Sequence, residues 1–279
     1  MKNLPLLSSI GSVLLAAAPM SQAVITSYFS DFNSGSGTVT DYTAANGDPA
    51  VDFAWDAAAG VGGGGGVLIG SSASNKYYLP DDTSAFDFTT LPSGDGYRVT
   101  ADFRWSDSTS TDLTVINIGF VPSTGSTMSS TTSMGGSLIR AADGSTVTLR
   151  LRTGSTNVDT MSFGQDSLTA GNWYRLTYEV TKSGTANAFN GIVTLYSIGE
   201  DGLDAAQVFL DGGTPASVSG SQTNATLYED GSVISVYDVR NTNGINAVDN
   251  LGVSYIPEPS AAAMLGLGAL AFGARRRRR

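Results

Sequence analysis

The chain of 279 residues contains no cysteine and no histidine. Without cysteine there is neither a disulfide framework nor a thiolate metal site, so stability has to come from a packed core. Without histidine, the Ser-His-Asp triad, imidazole zinc sites and the usual near-neutral proton shuttle are excluded. Charge is scarce too, at 14% of residues, and positive charge is the scarcer sign. Of the 15 Lys and Arg, Lys2 and the five terminal arginines lie in the end segments described below, leaving nine; of the 25 Asp and Glu, only Glu258 lies there, leaving 24. Residues 24–256 therefore carry a net charge of −15. That charge repels nucleic acid and anionic lipid, so no nucleic-acid partner is expected, and it suits a secreted surface protein or a binder of cations.

Apolar runs are confined to the two ends. Residues 1–23 combine Lys2, an apolar run from Leu4 to Pro19, and Ser21-Gln22-Ala23, the small-x-small pattern of a signal-peptidase site. This predicts a secretory signal helix cut after Ala23. At the other end, Pro257, Glu258 and Pro259 form an extended hinge that neither a helix nor a central strand can absorb. Residues 260–274 are small and apolar with no charge, and Arg275, Arg276, Arg277, Arg278 and Arg279 follow. This pattern reads as a short transmembrane helix with a cytoplasmic stop. As a helix, those residues rise only about 22 Å against a bilayer core of about 30 Å. They fit either a weak single-span anchor or a transient one.

Residues 256–279 resemble the PEP-CTERM sorting signal of Gram-negative-type bacteria, with its Pro-Glu-Pro triplet, short hydrophobic helix and Arg cluster in the same order. The resemblance implies recognition by exosortase, a membrane protease-transpeptidase that processes its substrates near the triplet during export to the surface. It implies that the membrane contact of residues 257–279 is transient, and it says nothing of residues 24–256.

Those residues are long enough for one large β domain. Ile25 to Phe32, Val51 to Trp55, Val67 to Ile69 and Lys76 to Leu79 read as short strands. Gly62 to Gly66, five glycines in succession, read as a flexible loop. Tyr97 to Trp105 gives the clearest signal, with Tyr97, Val99, Ala101, Phe103 and Trp105 alternating against Arg98, Thr100, Asp102 and Arg104. Strands are also expected at Leu113 to Val121, Gly136 to Arg140, Val147 to Arg152, Gly171 to Val180, Ile192 to Ile198, Gln207 to Leu210, Val233 to Tyr237 and Ala247 to Tyr255. About a dozen strands without a capped helical run argue an all-β, antiparallel two-sheet sandwich or a barrel.

The strand Asn172 to Val180, its hairpin partner Gly191 to Ile198 and the closing Val248-Asp-Asn-Leu-Gly-Val253 are similar to the concanavalin A-like jelly-roll superfamily. The resemblance implies a jelly-roll sandwich whose last strand returns beside the first. Lectins, glucanases and adhesive modules all use this scaffold, so activity is not implied.

For glycoside hydrolysis, two carboxylates with distinct pKa values are needed, about 5 Å apart in a retaining enzyme. The sequence has no Glu-x-Asp-x-x-Glu arrangement, and no catalytic residue is expected. Calcium needs only oxygen ligands, for which Asp81-Asp82, Glu200-Asp201 with Asp204, and Asp249-Asn250 are sources. None has EF-hand spacing, so no ligand set is assigned. A glycan platform of exposed aromatics is a further option. Trp55 and Trp105 alternate in phase with core residues, whereas Trp173 shares a face with Arg175, Thr177 and Glu179. Asn224-Ala-Thr226 matches a glycosylation acceptor, an accidental match in a bacterial context. A non-enzymatic surface protein that contacts polysaccharide is the main expectation. A structural surface protein without a discrete ligand, and a polysaccharide-degrading enzyme, stand as alternatives.

Overall fold

The computed structural model describes residues 28–30, 32, 43–46, 53–69, 75–79, 86–106, 114–123, 128, 130–141, 145–229, 233–240 and 245–258. Ala23, Pro259, Arg275 to Arg279 and the two expected terminal helices lie outside the described residues, as do Asp81 and Asp82. In chain order the strands are β1 (Tyr28–Ser30), β2 (Thr43–Asn46), β3 (Phe53–Asp56), β4 (Gly66–Ile69), β5 (Asn75–Leu79), β6 (Gly96–Trp105), β7 (Thr114–Val121), β8 (Met134–Arg140) and β9 (Thr146–Thr153). There follow β10 (Thr156–Gly164), β11 (Trp173–Lys182), β12 (Ala188–Ser197), β13 (Gln207–Val208), β14 (Leu210–Asp211), β15 (Thr214–Pro215), β16 (Ser217–Thr223), the helix α1 (Ala225–Glu229), β17 (Ile234–Arg240) and β18 (Ile245–Ile256).

The strands form the expected antiparallel two-sheet jelly-roll sandwich. One sheet has nine strands, in the order β13-β12-β11-β6-β18-β4-β3, with β1 also on β18 and β16 also on β12. The facing sheet has seven, in the order β10-β9-β8-β7-β17-β5-β2. Within the first sheet, β18 pairs with β6 from Ile245 to Ile256. Its other edge is shared, with β4 on Ala247 and Val248 and β1 on Leu251 to Val253. The first strand thus lies beside the last.

Burial follows the expected alternation on β6: Tyr97, Val99, Ala101, Phe103 and Trp105 all point into the core. Ile116, Ile118 and Phe120 from β7 and Leu149 and Leu151 from β9 meet them from the other sheet. β11 and β12 form the expected hairpin, from Tyr174 opposite Ser197 to Lys182 opposite Phe189. β11 begins and ends two residues later than expected and β12 begins four residues earlier, leaving a turn at residues 183–187, with Asn187 at φ 61°. At one end of the core, Phe88 meets Tyr97, Phe120 and Phe189 edge-on, with centroids 5.2–5.3 Å apart. Edge-to-face contacts of this kind add to area burial.

β2, β10, β15, β16 and the helix α1 were not legible in the sequence. β10 exposes most of its residues, with only Phe163 buried, so it carries no alternation. β16 is rich in Ser and Gly and buries only Val218 and Gln222. The helix α1 has a single turn, capped by the Asn224 side chain, which accepts the Leu227 N–H at 3.0 Å. That Asn224 is itself 5% exposed and donates to the Ser133 carbonyl, which leaves its amide unavailable to a glycan.

The five glycines do not form the expected flexible loop. Residues 61–63 make a 3-10 turn in which the Val61 N–H donates to Asp249 Oδ2 at 2.9 Å and the Gly62 N–H to the Asp201 carbonyl at 2.7 Å. Glycine is needed here for close approach: a Cβ on Gly60 would stand 2.1 Å from the Gly65 carbonyl oxygen.

Phe88→Ala should destabilise the protein by about 3–5 kcal/mol, the usual cost of a buried Phe truncation. The fall in the denaturant midpoint of the purified protein, at unchanged m-value, measures it.

Candidate functional site

Three places in the fold bring functional candidates together. The first is the start of the sorting segment. β18 stays in the ladder to Ile256, opposite Gly96, and Pro257 leaves it because proline has no N–H to donate. The chain does not swing free. The Glu258 N–H donates to Asp95 Oδ1 at 2.6 Å, and the Tyr255 hydroxyl donates to the other oxygen of the same carboxylate. Asp95 is 6% exposed, while Pro257 and Glu258 are exposed. Burial, the hydrogen bond to Asp95 and its charge push the Tyr255 phenol up to about 12, so this donor keeps its proton at any physiological pH. Asp95 lies in the turn that leads into β6. No local pattern links it to a residue 163 positions away.

The second place is a set of acids on the outer face of the nine-stranded sheet. Asp102 on β6 and Asp249 on β18 are opposed in register, and both are buried. Arg175 on β11 donates to both oxygens of Asp102, at 2.6 and 2.8 Å, and Asn250 Nδ2 adds a third bond at 2.9 Å. The hydrogen bond to Asp102 is the main reason that the Arg175 guanidinium is held above its usual pKa. Asp249 accepts the N–H groups of Val61 and Asn250. Asn250 has φ 51°, at the bulge where the neighbour of β18 changes from β4 to β1. Of the candidate calcium ligands, Asp249-Asn250 is therefore engaged in holding the glycine turn and the sheet. Asp201 caps its own turn through the Leu203 N–H at 2.9 Å. Among the described residues no group of three or more acids gathers at one point.

The third place is the outer face of the seven-stranded sheet. Asn117, Ser137, Arg150 and Thr160 stand in one row across β7, β8, β9 and β10. Ser137 Oγ donates to Asn117 Oδ1 at 2.5 Å, and beside them Thr148 and Ser162 share a bond of 2.9 Å. The buried Nε of Arg150 has no hydrogen-bond partner among the described residues. Met128 lies over the neighbouring Gly119 and Gly135, where a Cβ on Gly135 would stand 2.3 Å from its Cε.

Two of the three tryptophans are closed to stacking and the third is partly so. Trp105 is in the core as expected, and half-buried Trp55 donates its Nε1–H to the Phe32 carbonyl at 2.9 Å. Trp173 is 2% exposed although it lies on the outer face, because Val61, Ile198 and Ala247 pack over it and Arg104 covers its ring. The residue pattern of β11 holds no sign of that cover, which comes from the distant glycine turn.

Compared with known proteins, residues 256–278 match the PEP-CTERM protein-sorting motif. This identifies an exosortase-type export signal and a surface-associated bacterial protein. No curated protein sequence matches the chain. Among solved structures the sandwich is similar to peanut lectin, at 10% identity and TM-score 0.48 over 84% of this chain and 100% of the lectin. It is also similar to a carbohydrate esterase of Shiga toxin-encoding bacteriophage phi24B, at 13% identity and TM-score 0.47 over 82% and 98%. A third likeness is to an endo-1,3-beta-glucanase from Streptomyces sioyaensis, at 11% identity and TM-score 0.45 over 86% and 99%.

The acid network predicts an asymmetry. Arg175→Ala strands the fully buried Asp102 carboxylate and should cost about 3 kcal/mol or more. Asp102→Ala leaves an Arg whose side chain is 35% exposed and can turn to water, so it should cost clearly less. Denaturant unfolding of the two single variants and the double variant checks the order.

Proposed function

We propose that this is a secreted surface or extracellular-matrix protein of a Gram-negative-type bacterium. In this reading signal peptidase cuts after Ala23, exosortase processes the tail near Pro257 to Pro259, and the tail helix holds the membrane transiently. The sandwich that remains is non-enzymatic and contacts polysaccharide through the outer face of its seven-stranded sheet.

The observation that carries the glycan reading is the row Asn117, Ser137, Arg150 and Thr160. Asn117 and Ser137 are buried and bonded to each other, so they brace the row, and the half-buried Arg150 guanidinium and the exposed Thr160 hydroxyl are the groups it presents to sugar hydroxyls. The non-enzymatic reading is supported by the state of the best-placed acid pair: Asp102 is neutralised by Arg175 and Asp249 is occupied by backbone N–H groups. Both carboxylates are thus engaged by partners within the protein.

A structural surface protein without a discrete ligand is the second reading. It is favoured by the burial of Trp105 and Trp173, which leaves only half-buried Trp55 for a sugar to stack on.

A glycan array probed with the purified surface-released protein separates the two readings, run with and without calcium because no ligand set defines a metal site. The glycan reading predicts retention of one polysaccharide class and at least tenfold weaker retention for Arg150→Ala. Uniform lack of retention in both conditions selects the structural reading, and release of shortened glycans would overturn the non-enzymatic one.

A further inference from the structure

We propose that Asp95 and Gly94 form a dock for the sorting motif, and that in the folded protein this dock competes with the processing enzyme for the same stretch of backbone. The inference rests on the reading that the tail is processed at this motif.

Both oxygens of the buried Asp95 carboxylate are spent on the segment, one on the Tyr255 hydroxyl and one on the Glu258 N–H. The Glu258 side chain lies across Gly94. A Cβ at that position would stand 2.7 Å from Glu258 Cδ, and Gly94 has φ 95°, where a side chain is strained. The dock therefore engages both the backbone and the carboxylate-bearing side chain of the motif. It is rigid, because the Gly94 N–H donates to the Lys182 carbonyl and the Lys182 N–H to the Asp95 carbonyl, each at 2.8 Å. Those bonds tie it to the end of β11, so it exists only once β6 and β11 have paired.

A peptidase that takes its substrate as an extended segment needs the backbone N–H and C=O groups for its own cleft. Here the groups up to Ile256 are in the ladder with β6, and the Glu258 N–H is held by a charge-assisted bond. Engagement of the motif in a folded precursor has to break that bond first. A precursor whose sandwich has not formed offers the same residues without the dock, so the dock links the rate of processing to the state of the domain in front of it.

The test follows full-length precursor in the producing cells by pulse-chase, and amide exchange at Glu258 in purified full-length precursor. Asp95→Ala should abolish protection of the Glu258 amide and speed maturation about tenfold, the factor equivalent to one charge-assisted hydrogen bond. Tyr255→Phe keeps the fold and the Glu258 bond and should accelerate maturation two- to threefold, about the share of one neutral hydrogen bond. Arg98→Ala, a surface variant outside the dock, should mature at the wild-type rate. Unchanged protection in Asp95→Ala, or lost protection with maturation unchanged or slower, overturns the dock. Glu258→Ala separates the two levels. Normal maturation of Glu258→Ala overturns the processing reading itself, whereas a stalled Glu258→Ala beside an unaccelerated Asp95→Ala overturns the dock alone.

Discussion

The pairing of β18 with β6 is the constraint on which the rest of the structure depends. β6 runs down the middle of the nine-stranded sheet, between β11 and β18, and lines the core with five residues. β18 in turn holds β4 and β1 on its far edge. Two strands so far apart in sequence make a costly loop to close, and the core repays that cost only when the closing strand is in place. The bulge at Asn250 lets one strand serve two partners, and the adjacent Asp249 uses the same spot to pin the glycine turn. Loss of this ladder would release the N-terminal strand, the glycine turn with its cover over Trp173, and the start of the sorting segment together.

Much of the sandwich was legible because it follows period 2. β6 and the β11–β12 hairpin alternate cleanly, since one face meets the core and the other meets water or polar neighbours. β10 and β16 were missed for the converse reason: they lie at the edges, bury little and are rich in Ser, Thr and Gly. Composition misled at residues 62–66, where glycine usually means freedom. There the lack of side chains serves close packing, and the partners that fix the turn, Asp249 and Asp201, lie far away in sequence.

The sites divide in the same way. The sorting triplet was readable because its information is local: two prolines, a carboxylate, an apolar run and a charge stop. Asp95 and the cover over Trp173 arise from contacts between remote segments, and no window of sequence contains them. The row on the seven-stranded sheet has the same character, because register across four strands is what makes neighbours of Asn117 and Thr160.

In this account the folded body and the address on its tail are joined with no free linker between them. The last strand passes into the triplet, and the motif's first residues rest on the body itself. The most direct measurement is the intact mass of the protein recovered from the cell surface. The account predicts a chain that begins at Val24, ends at or near Pro257 to Pro259 and lacks Arg275 to Arg279. A surface protein whose mass still includes those arginines would contradict it.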